Sequence, residues 1–493
     1  MIELSEQIWE FAEPGLREYR SAKAHCEFLS RHGFSVEQGV ADLPTAFMAS
    51  YGSGRPVIAT YAEYDATPGQ SQKPVPYREP VVPYGPGFTD AHHMLGAAAS
   101  ASAVAVAEVL RTRDLPGTVM VFGTPAEKLY VGKPYMAKAG CFDDVDAFLG
   151  WHPGHTTNNF NTARLNLASG SCYHILFTFE CDKPWDWMGP GGLAGVRHPG
   201  ALEGVQVFYT IAKFMRDHML ARTRGWSINE FIMTGGQGTV DGWPPDIAQI
   251  LYEFHTPDVK SQEAILKILT NSAETAAELT HTRLSIRTVS KSRPGLPNAA
   301  LGRLLYRNLE RVGPPRFSDE EKAFAREMME DFGLSPLEEP FNETLTPPEE
   351  AEAAHRQWMI PGDDHRGADD SSEVTWHAPT GKLMVSGNAL VSQPDVSYPI
   401  WFEGALCGTS AVHKMGLVAA KTLAASMIEL FTDPSELEAA TEEFAERTKD
   451  GYLDSLIPDG QAPPTDLRWP QWIDNRYPDR PPEGIQWSVP PAQ

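Results

Sequence analysis

The stretch PVIATYAEYDA, residues 56–66, decides the fold class of this chain. Its apolar, β-branched and aromatic residues predict a buried strand, and the strand ends in polar residues. TVMVFGTPAEK (118–128) and DAFLGWHP (146–153) repeat the pattern. The Ala-rich residues 95–112, which lie between the first and the second of these three strands, predict a helix. Strands and helices therefore alternate, which predicts an α/β fold with a mostly parallel sheet sandwiched by helices.

From residue 167 the pattern changes to that of a smaller α+β unit. Its predicted strands lie near 172–181, 226–236, 248–255 and 282–290, and its predicted helices near 201–220 and 259–280. We therefore expect an inserted domain over 167–292. The two parts of the α/β domain would be residues 1–166 and 293–455. Residues 456–493, rich in Pro and Trp, would form a C-terminal extension.

The composition excludes several classes of protein. The chain has 493 residues, of which 42% are hydrophobic and 22% charged, as in globular proteins. The net charge of -24, without a Lys/Arg cluster, argues against a nucleic-acid partner. No stretch reaches the roughly 18 apolar residues of a membrane span, no signal-type core opens the chain, and the five cysteines form no CxxC. We expect a cytoplasmic protein without a membrane partner.

Polar residues follow the predicted strands. Asp65, Asp90, Glu127 and His152 lie just after strands or in the loops beyond them. In parallel sheets such residues converge at one edge, where ligands bind. Asp90 and His92, two positions apart, together with His152, are ligand types that zinc and manganese prefer. Glu127 is a candidate general base.

Each of these assignments has a structural alternative. The Asp-x-His pair could be a helix cap and a hydrogen-bonded histidine. Glu127 and Lys128 could be a surface ion pair. His152, and His413 at the start of an Ala-rich helix, could be structural.

Several strings resemble one enzyme family in sequence order. AEYDATPG (62–69) resembles the A-E-Y-D-A-L-P-G segment of the aminoacylase-type zinc/manganese metallopeptidases, nearest the branch that contains the B subunit of aminobenzoyl-glutamate hydrolase. GFTDAHHMLG (87–96) resembles that branch's G-H-x-C-G-H-N-L-L-G. The remaining matches are GTPAEK (123–128) to G-T-P-A-E-E, WHP (151–153) to W-H-P, GADD (367–370) with VTW (374–376) to G-S-T-D and V-S-W, and residues 408–414 to the C-terminal G-H-K.

The resemblance implies a zinc-peptidase-like domain with an inserted lid or dimerisation domain, forming a homodimer or a heteromer with a homologue. It also implies two metals bridged by Asp90, with His92 and His152 at the first metal and His413 at the second. Metal-activated water would cleave an amide bond, and Glu127 would take the water's proton and return it to the leaving amine. Asp65 is assigned to the same catalytic cluster.

Lys128 departs from the family, which has a metal-binding Glu at this position. A protonated lysine has no lone pair to offer a metal. Three explanations stay open: a single metal with the ammonium in place of the second, a carboxylated Lys128 that binds metal through oxygen, or a loss of activity. We expect one divalent ion, zinc or manganese, per chain.

The insert departs as well. Residues 181–186 stand where the family has a G-K-A-A-H-A-like segment, so that Trp185 replaces the histidine that stabilises the oxyanion. His255 replaces an arginine that often holds a substrate carboxylate. Trp185, His255 and Asp370 are therefore our predicted substrate-binding residues. Trp185 and Trp187 could equally line an aromatic pocket or lie at the surface.

Three functions remain in competition. The first is a single-metal amidohydrolase that acts on an N-acyl or N-aroyl amino acid. The second is an enzyme of the same fold that forms or rearranges an amide, or hydrolyses another C–N bond. The third is a catalytically silent subunit that pairs with an active homologue.

Overall fold

The structure is a computed structural model that describes residues 1–155, 159–182, 199–220, 225–236, 244–357, 365–393 and 395–467. Trp185 and Trp187 lie outside the described residues, and so do the three tryptophans after residue 468.

The described helices are α1 (Ile2–Phe11), α2 (Tyr19–Arg31), α3 (His92–Arg113), α4 (Gly132–Lys138), α5 (Ala201–Met215), α6 (Val259–Thr280), α7 (Ala299–Val312), α8 (Asp319–Asp331), α9 (Pro348–Arg356), α10 (Trp401–Cys407), α11 (Ser410–Thr432) and α12 (Pro434–Thr448). The described strands are β1 (Ser35–Gln38), β2 (Phe47–Ser53), β3 (Val57–Ala62), β4 (Gly117–Gly123), β5 (Ala147–Pro153), β6 (Thr162–Ala163), β7 (Ala168–Glu180), β8 (Ser227–Thr234), β9 (Ile247–Thr256), β10 (Arg283–Ser292), β11 (His365–Ala368) and β12 (Thr380–Val385).

The larger sheet has the strand order β1-β2-β4-β3-β5-β12-β6. Its four central strands, β4, β3, β5 and β12, are parallel, whereas β1, β2 and β6 pair antiparallel toward the edges. This confirms the predicted α/β fold with a mostly parallel sheet.

Residues on β3 alternate between two apolar layers. Ile58 and Ala62 pack with α1, α3, α7 and α11 on one face, and Ala59 and Tyr61 pack with α4 on the other. Burial on both faces explains why this strand is an almost unbroken apolar run. The carboxyl ends of the parallel strands meet at one edge of the sheet.

Helices α3 and α11 pack against each other in the first of these layers. By length and composition both could cross a membrane, but 72% and 67% of their most apolar windows are buried inside the protein. Core helices of globular proteins pass the same test, so the two helices are weak evidence for a membrane.

The smaller sheet contains the four strands predicted for the insert, in the antiparallel order β10-β7-β9-β8. Helices α5 and α6 cover one face through an apolar cluster that includes Phe177, Phe208 and Leu269. Strand β11, which comes from the second part of the chain, pairs parallel with β7. The sequence pattern did not predict this pairing.

The described start of the C-terminal extension is attached to the larger unit. Ile457 and Leu467 are buried in the apolar layer around α4. Arg17, itself buried, donates hydrogen bonds to the carbonyl oxygens of Thr465 at 3.2 Å and Leu467 at 3.0 Å. Residues up to 467 are therefore part of the packed structure.

Candidate metal centre and active site

The candidate site lies at the carboxyl ends of the parallel strands. Glu63 and Asp65 follow β3, Glu127 follows β4, and His152 lies near the end of β5. His92 is the first residue of α3, which begins at the same edge after a long loop. The topology of the sheet therefore brings these separate segments together.

The imidazole of His92 is oriented by a carboxylate. Asp65 Oδ1 accepts a hydrogen bond from His92 Nδ1 at 2.8 Å. His92 Nε2 then faces the oxygens of Asp90 at 3.2 Å, Glu63 at 3.3 Å and Glu127 at 3.7 Å. A carboxylate behind the imidazole is the usual arrangement of a metal-binding histidine. Asp65 is therefore a positioning residue that acts through His92.

Three polar atoms at this point are buried and have no hydrogen-bond partner in the described structure: Glu63 Oε2, Asp90 Oδ1 and His92 Nε2. Leaving such atoms unpaired costs free energy, which a cation would offset. Four overlapping groups have ligand atoms within 4.8 Å of one another: Asp90, His92 and Glu127; Glu63, His92 and His152; Asp90, His152 and His155; and Glu127, Asp369 and Asp370. These imidazoles and carboxylates fit a zinc or manganese ion.

The ammonium of Lys128 lies beside Asp90. Its Nζ donates hydrogen bonds to Asp90 Oδ2 and, at 3.1 Å, to Glu127 Oε2. Its backbone N–H donates to Asp65 Oδ2 at 2.8 Å. A fixed positive charge therefore lies against Asp90. The family resemblance implied that this carboxylate bridges two metals.

The charges in this cluster shift its pKa values in different directions. Burial raises the pKa of Glu127, and the charges of Lys128 and His92 oppose this shift only in part. Burial also acts to raise the pKa of Asp90, but His92 and Lys128 hold it well below its usual range. Burial acts to lower the pKa of Lys128, but Asp90 and Glu127 hold it well above its usual range. Glu127 therefore accepts a proton more readily than Asp90 does.

His413 is not part of this cluster, contrary to the prediction that it binds a second metal. It lies at the start of α11, and its Nε2 is 3.6 Å from a carboxylate oxygen of Glu6 on α1. None of the metal-compatible groups among the described residues includes it. Motif order places His413 along the chain, but the packing of α11 decides the direction of its side chain.

A cavity of about 480 Å³ lies beside the metal-compatible groups. Asp370 does not line this cavity, contrary to the prediction that it binds substrate. Its carboxylate is fully buried, and Lys133 Nζ donates to its Oδ1 at 2.6 Å. Lys133 Nζ also donates to Glu63 Oε1 at 2.6 Å. Asp370 is therefore buried against Lys133, and one of its oxygens lies within 4.8 Å of ligand atoms of Glu127 and Asp369. Its neighbour Asp369 lines the cavity instead, because the chain turns between the two residues.

His255 also lies outside the cavity beside the metal-compatible groups, contrary to our prediction that it would hold a substrate carboxylate there. It is on β9 of the smaller sheet, where it forms an ion pair with Glu253. Together with Trp226 and Gly367 it lines a separate cavity of about 230 Å³. Trp185, the other predicted substrate-binding residue of the insert, lies outside the described residues.

The cavity beside the metal-compatible groups has a volume of about 480 Å³. Its lining includes predicted residues, namely Asp90, Glu127, Lys128 and His152, and residues that we did not predict, namely Tyr130, His155, Arg164 and Asp369. His155 could have been found from its position three residues after His152, and Glu63 from its place in the AEYD string. No local signal distinguishes Arg164.

Comparisons with known proteins find sequences similar to this chain. The model of peptidase family M20/M25/M40 matches residues 59–383. The B subunit of p-aminobenzoyl-glutamate hydrolase from Escherichia coli (strain K12) is 30% identical over 479 residues, which are 94% of this chain and 95% of that protein. The Xaa-Arg dipeptidase of Homo sapiens is 24% identical over 287 residues, 55% of this chain and 58% of that protein.

A solved structure shows the same fold. The aminobenzoyl-glutamate utilization protein from Klebsiella pneumoniae superposes with a TM-score of 0.53 at 14% identity. The match covers 85% of this chain and 95% of that chain. Together these findings confirm the family resemblance drawn from the sequence motifs.

Proposed function

Because the chain belongs to peptidase family M20/M25/M40, and is thus a metal-dependent hydrolase of amide bonds, we propose that it cleaves an N-acyl or N-aroyl amino acid. The cluster of Asp90, His92 and Glu127 beside a cavity of about 480 Å³ carries this proposal. A cavity of that volume suits a small molecule. The name of the similar E. coli protein, a p-aminobenzoyl-glutamate hydrolase, supports an aroyl amino acid in particular.

The residues of the site divide into metal ligands and a proton carrier. Asp90, His92 and His152 would hold the metal, zinc or manganese, because each of them belongs to two of the overlapping metal-compatible groups, and Asp65 would orient His92. A divalent metal bound there polarises the scissile carbonyl and makes water a better nucleophile. The Glu127 carboxylate accepts the proton that the attacking water loses and delivers it to the leaving amine.

Arg164 is our candidate for binding the substrate carboxylate. It lines the cavity, and its Nε is buried without a hydrogen-bond partner in the described structure. The nearby Asp369 is paired with Lys382. Since a guanidinium fits a carboxylate well, this site favours an amide that carries a free acid.

The direct test is the release of free amine from a panel of N-aroyl and N-acyl amino acids by protein loaded with zinc or manganese. We expect cleavage of at least one N-aroyl amino acid, and weaker cleavage of its methyl ester. A protein that binds metal but cleaves no member of the panel would contradict the proposal.

We further propose that the catalytic centre holds one metal, because the Lys128 ammonium takes the place of the second. Lys128→Glu is then expected to increase the metal content by about one ion per chain over the native protein, since a carboxylate can bind what an ammonium cannot. Elemental analysis after dialysis measures this gain.

Lys23→Glu is the matched control, because it makes the same charge change at an exposed position on α2. It should leave the metal content unchanged. A folded Lys128→Glu variant that gains no metal would show that the ammonium does not exclude a second ion.

We also propose that the insert forms a homodimer through its edge strand β8. Phe231 and Ile232 on β8 are 50% and 60% exposed, and Phe214 on α5 is 76% exposed. Exposed apolar residues beside an unpaired strand edge are typical of an interaction surface.

Light scattering at micromolar concentration is expected to show a dimer for the native protein and a monomer for Ile232→Lys. Leu417→Lys, which changes an exposed apolar residue on α11 in the larger unit, should remain a dimer. A monomeric native protein would exclude this assembly.

A further inference from the structure

A second group of metal-ligand side chains lies on the smaller sheet. Cys172 and His174 are on β7, and Glu253 and His255 are on β9. Cys172 is directly opposite His255 in the strand pairing, and His174 is opposite Glu253. Because every second residue of a strand points to the same face, these four side chains occupy neighbouring positions on one face.

The distances between these side chains are short. Cys172 Sγ lies 3.6 Å from Glu253 Oε1 and 3.8 Å from His174 Nδ1. His255 Nε2 contacts the same Glu253 carboxylate oxygen. The ligand atoms of Cys172, Glu253 and His255 all lie within 4.8 Å of one another. Two ligand atoms on one tetrahedral zinc ion are roughly 3.3–3.8 Å apart, given the usual bond lengths, so the cluster needs little rearrangement.

On one side this cluster adjoins apolar side chains. The next pair along the same face is Leu176 opposite Leu251, and both leucines are buried in the apolar layer around α4. Cys172 is fully buried and Glu253 is 8% exposed. Charged and polar groups in such a place need strong partners. Asn229 Nδ2 donates to Glu253 Oε2 at 2.7 Å, as expected for a residue that supports a metal ligand.

The cluster is separate from the catalytic centre. The ring of Tyr130, which lines the catalytic cavity, has its centroid 5.7 Å from that of His174 and stacks on His255 at 6.0 Å. Tyr130 therefore lies between the two groups. The catalytic group contains no cysteine, and among the described residues Cys172 is the one cysteine in a metal-compatible group.

We propose that Cys172, Glu253 and His255 bind a zinc-type divalent ion that is distinct from the catalytic metal. Thiolate, imidazole and carboxylate are the ligands that zinc prefers, and three of them leave the fourth position of a tetrahedral ion open to water. Such an ion would join β7 to β9 next to Tyr130 and so stabilise the junction between the insert and the catalytic loop.

The competing explanation is a metal-free network, in which Glu253 accepts hydrogen bonds from the thiol and the imidazole. Burial, reinforced by the charge of Glu253, holds the pKa of the Cys172 thiol well above its usual range. Without a cation the thiol therefore stays protonated, whereas metal binding releases its proton. The two explanations differ in whether a metal ion binds to the Cys172 sulfur at all.

Cobalt(II) titration of the metal-free full-length protein separates them, because a cobalt–thiolate bond gives a charge-transfer absorption band in the near ultraviolet. We expect this band in the native protein and its loss in Cys172→Ser. Cys181→Ser, which changes another buried cysteine near the end of β7, should keep the band. Zinc content should fall by about one ion per chain in Cys172→Ser, since one set of ligands is lost.

His255→Ala is the second variant, because its side chain is partly exposed and its removal is better tolerated. His255→Ala should weaken cobalt binding and shift the absorption band. This result would be informative even if circular dichroism shows that Cys172→Ser does not fold. A native protein that shows no thiolate band at saturating cobalt would overturn the proposal, and so would a band that persists in Cys172→Ser. Amide hydrolysis plays no part in this readout, so the proposed function is tested separately.

Discussion

Glu127→Gln is expected to lower the turnover of amide substrates by about 10²–10⁴-fold, the usual contribution of a positioned general base. Glu127 Oε2 lies 3.7 Å from His92 Nε2 and 3.1 Å from Lys128 Nζ, and the residue lines the cavity. Glutamine keeps the size of the side chain but cannot accept the proton of the attacking water. The metal content and the fold should therefore be retained while hydrolysis is suppressed.

Two further variants frame this result. His152→Ala removes a proposed metal ligand and should lose both metal and hydrolysis. Glu321→Gln changes another buried glutamate, which is paired with Lys414 on α11, and should keep full turnover. If Glu127→Gln hydrolyses a native substrate at the native rate, Glu127 is not the base.

Arg293→Met is expected to lower the free energy of unfolding by about 3–5 kcal/mol, since it leaves a buried charge without a partner. Arg293 and Glu373 are each 1% exposed in their side chains and form an ion pair at 2.7 Å. The backbone N–H of Arg293 also donates to Glu373 at 2.6 Å, and its guanidinium donates to the Leu453 carbonyl at 2.7 Å. These bonds tie the end of β10 to the second part of the larger unit.

Chemical denaturation of the metal-free protein, followed by tryptophan fluorescence, measures this loss. Arg287→Met is the matched control, because Arg287 pairs with Asp466 at 2.8 Å but both side chains are substantially exposed. An exposed ion pair contributes about 0–1 kcal/mol. The double variant Arg293→Met/Glu373→Leu, which removes both charges, should recover part of the lost free energy of unfolding. Equal destabilisation by the two single variants would contradict this account.

Strong local patterns predicted most of the elements. The apolar runs that became β3, β4 and β5 were visible because strands buried on both faces contain few polar residues. The insert's strands and helices were visible from their periodicity. The antiparallel strands β1 and β2 at one side of the larger sheet were not predicted, and neither was the pairing of β11 with β7. Strands that are only partly buried carry weaker apolar patterns, and pairing joins distant segments.

The sequence predicted part of the candidate site from polar residues near strand ends and from the Asp-x-His spacing, but it missed Glu63, which directly follows β3. Asp90, His92, Glu127 and His152 belong to overlapping metal-compatible groups at one edge of the sheet, and their roles remain predictions. The details depended on packing: Asp369 lines the cavity while the adjacent Asp370 is buried against Lys133, and His413 points to α1. A motif match specifies a position along the chain and leaves the direction of the side chain open.

By itself, then, the sequence determined the α/β class, the inserted α+β unit and the segments that meet at the metal centre. Periodicity and the carboxyl ends of parallel strands are sufficient for these inferences. The tertiary structure alone decided that the Lys128 ammonium lies against Asp90, that Arg164 lines the cavity, and that Cys172 meets Glu253 and His255. These contacts join residues far apart in sequence. Strand register, helix packing and the high cost of leaving a buried charge unpaired select them, and a local sequence pattern records none of these.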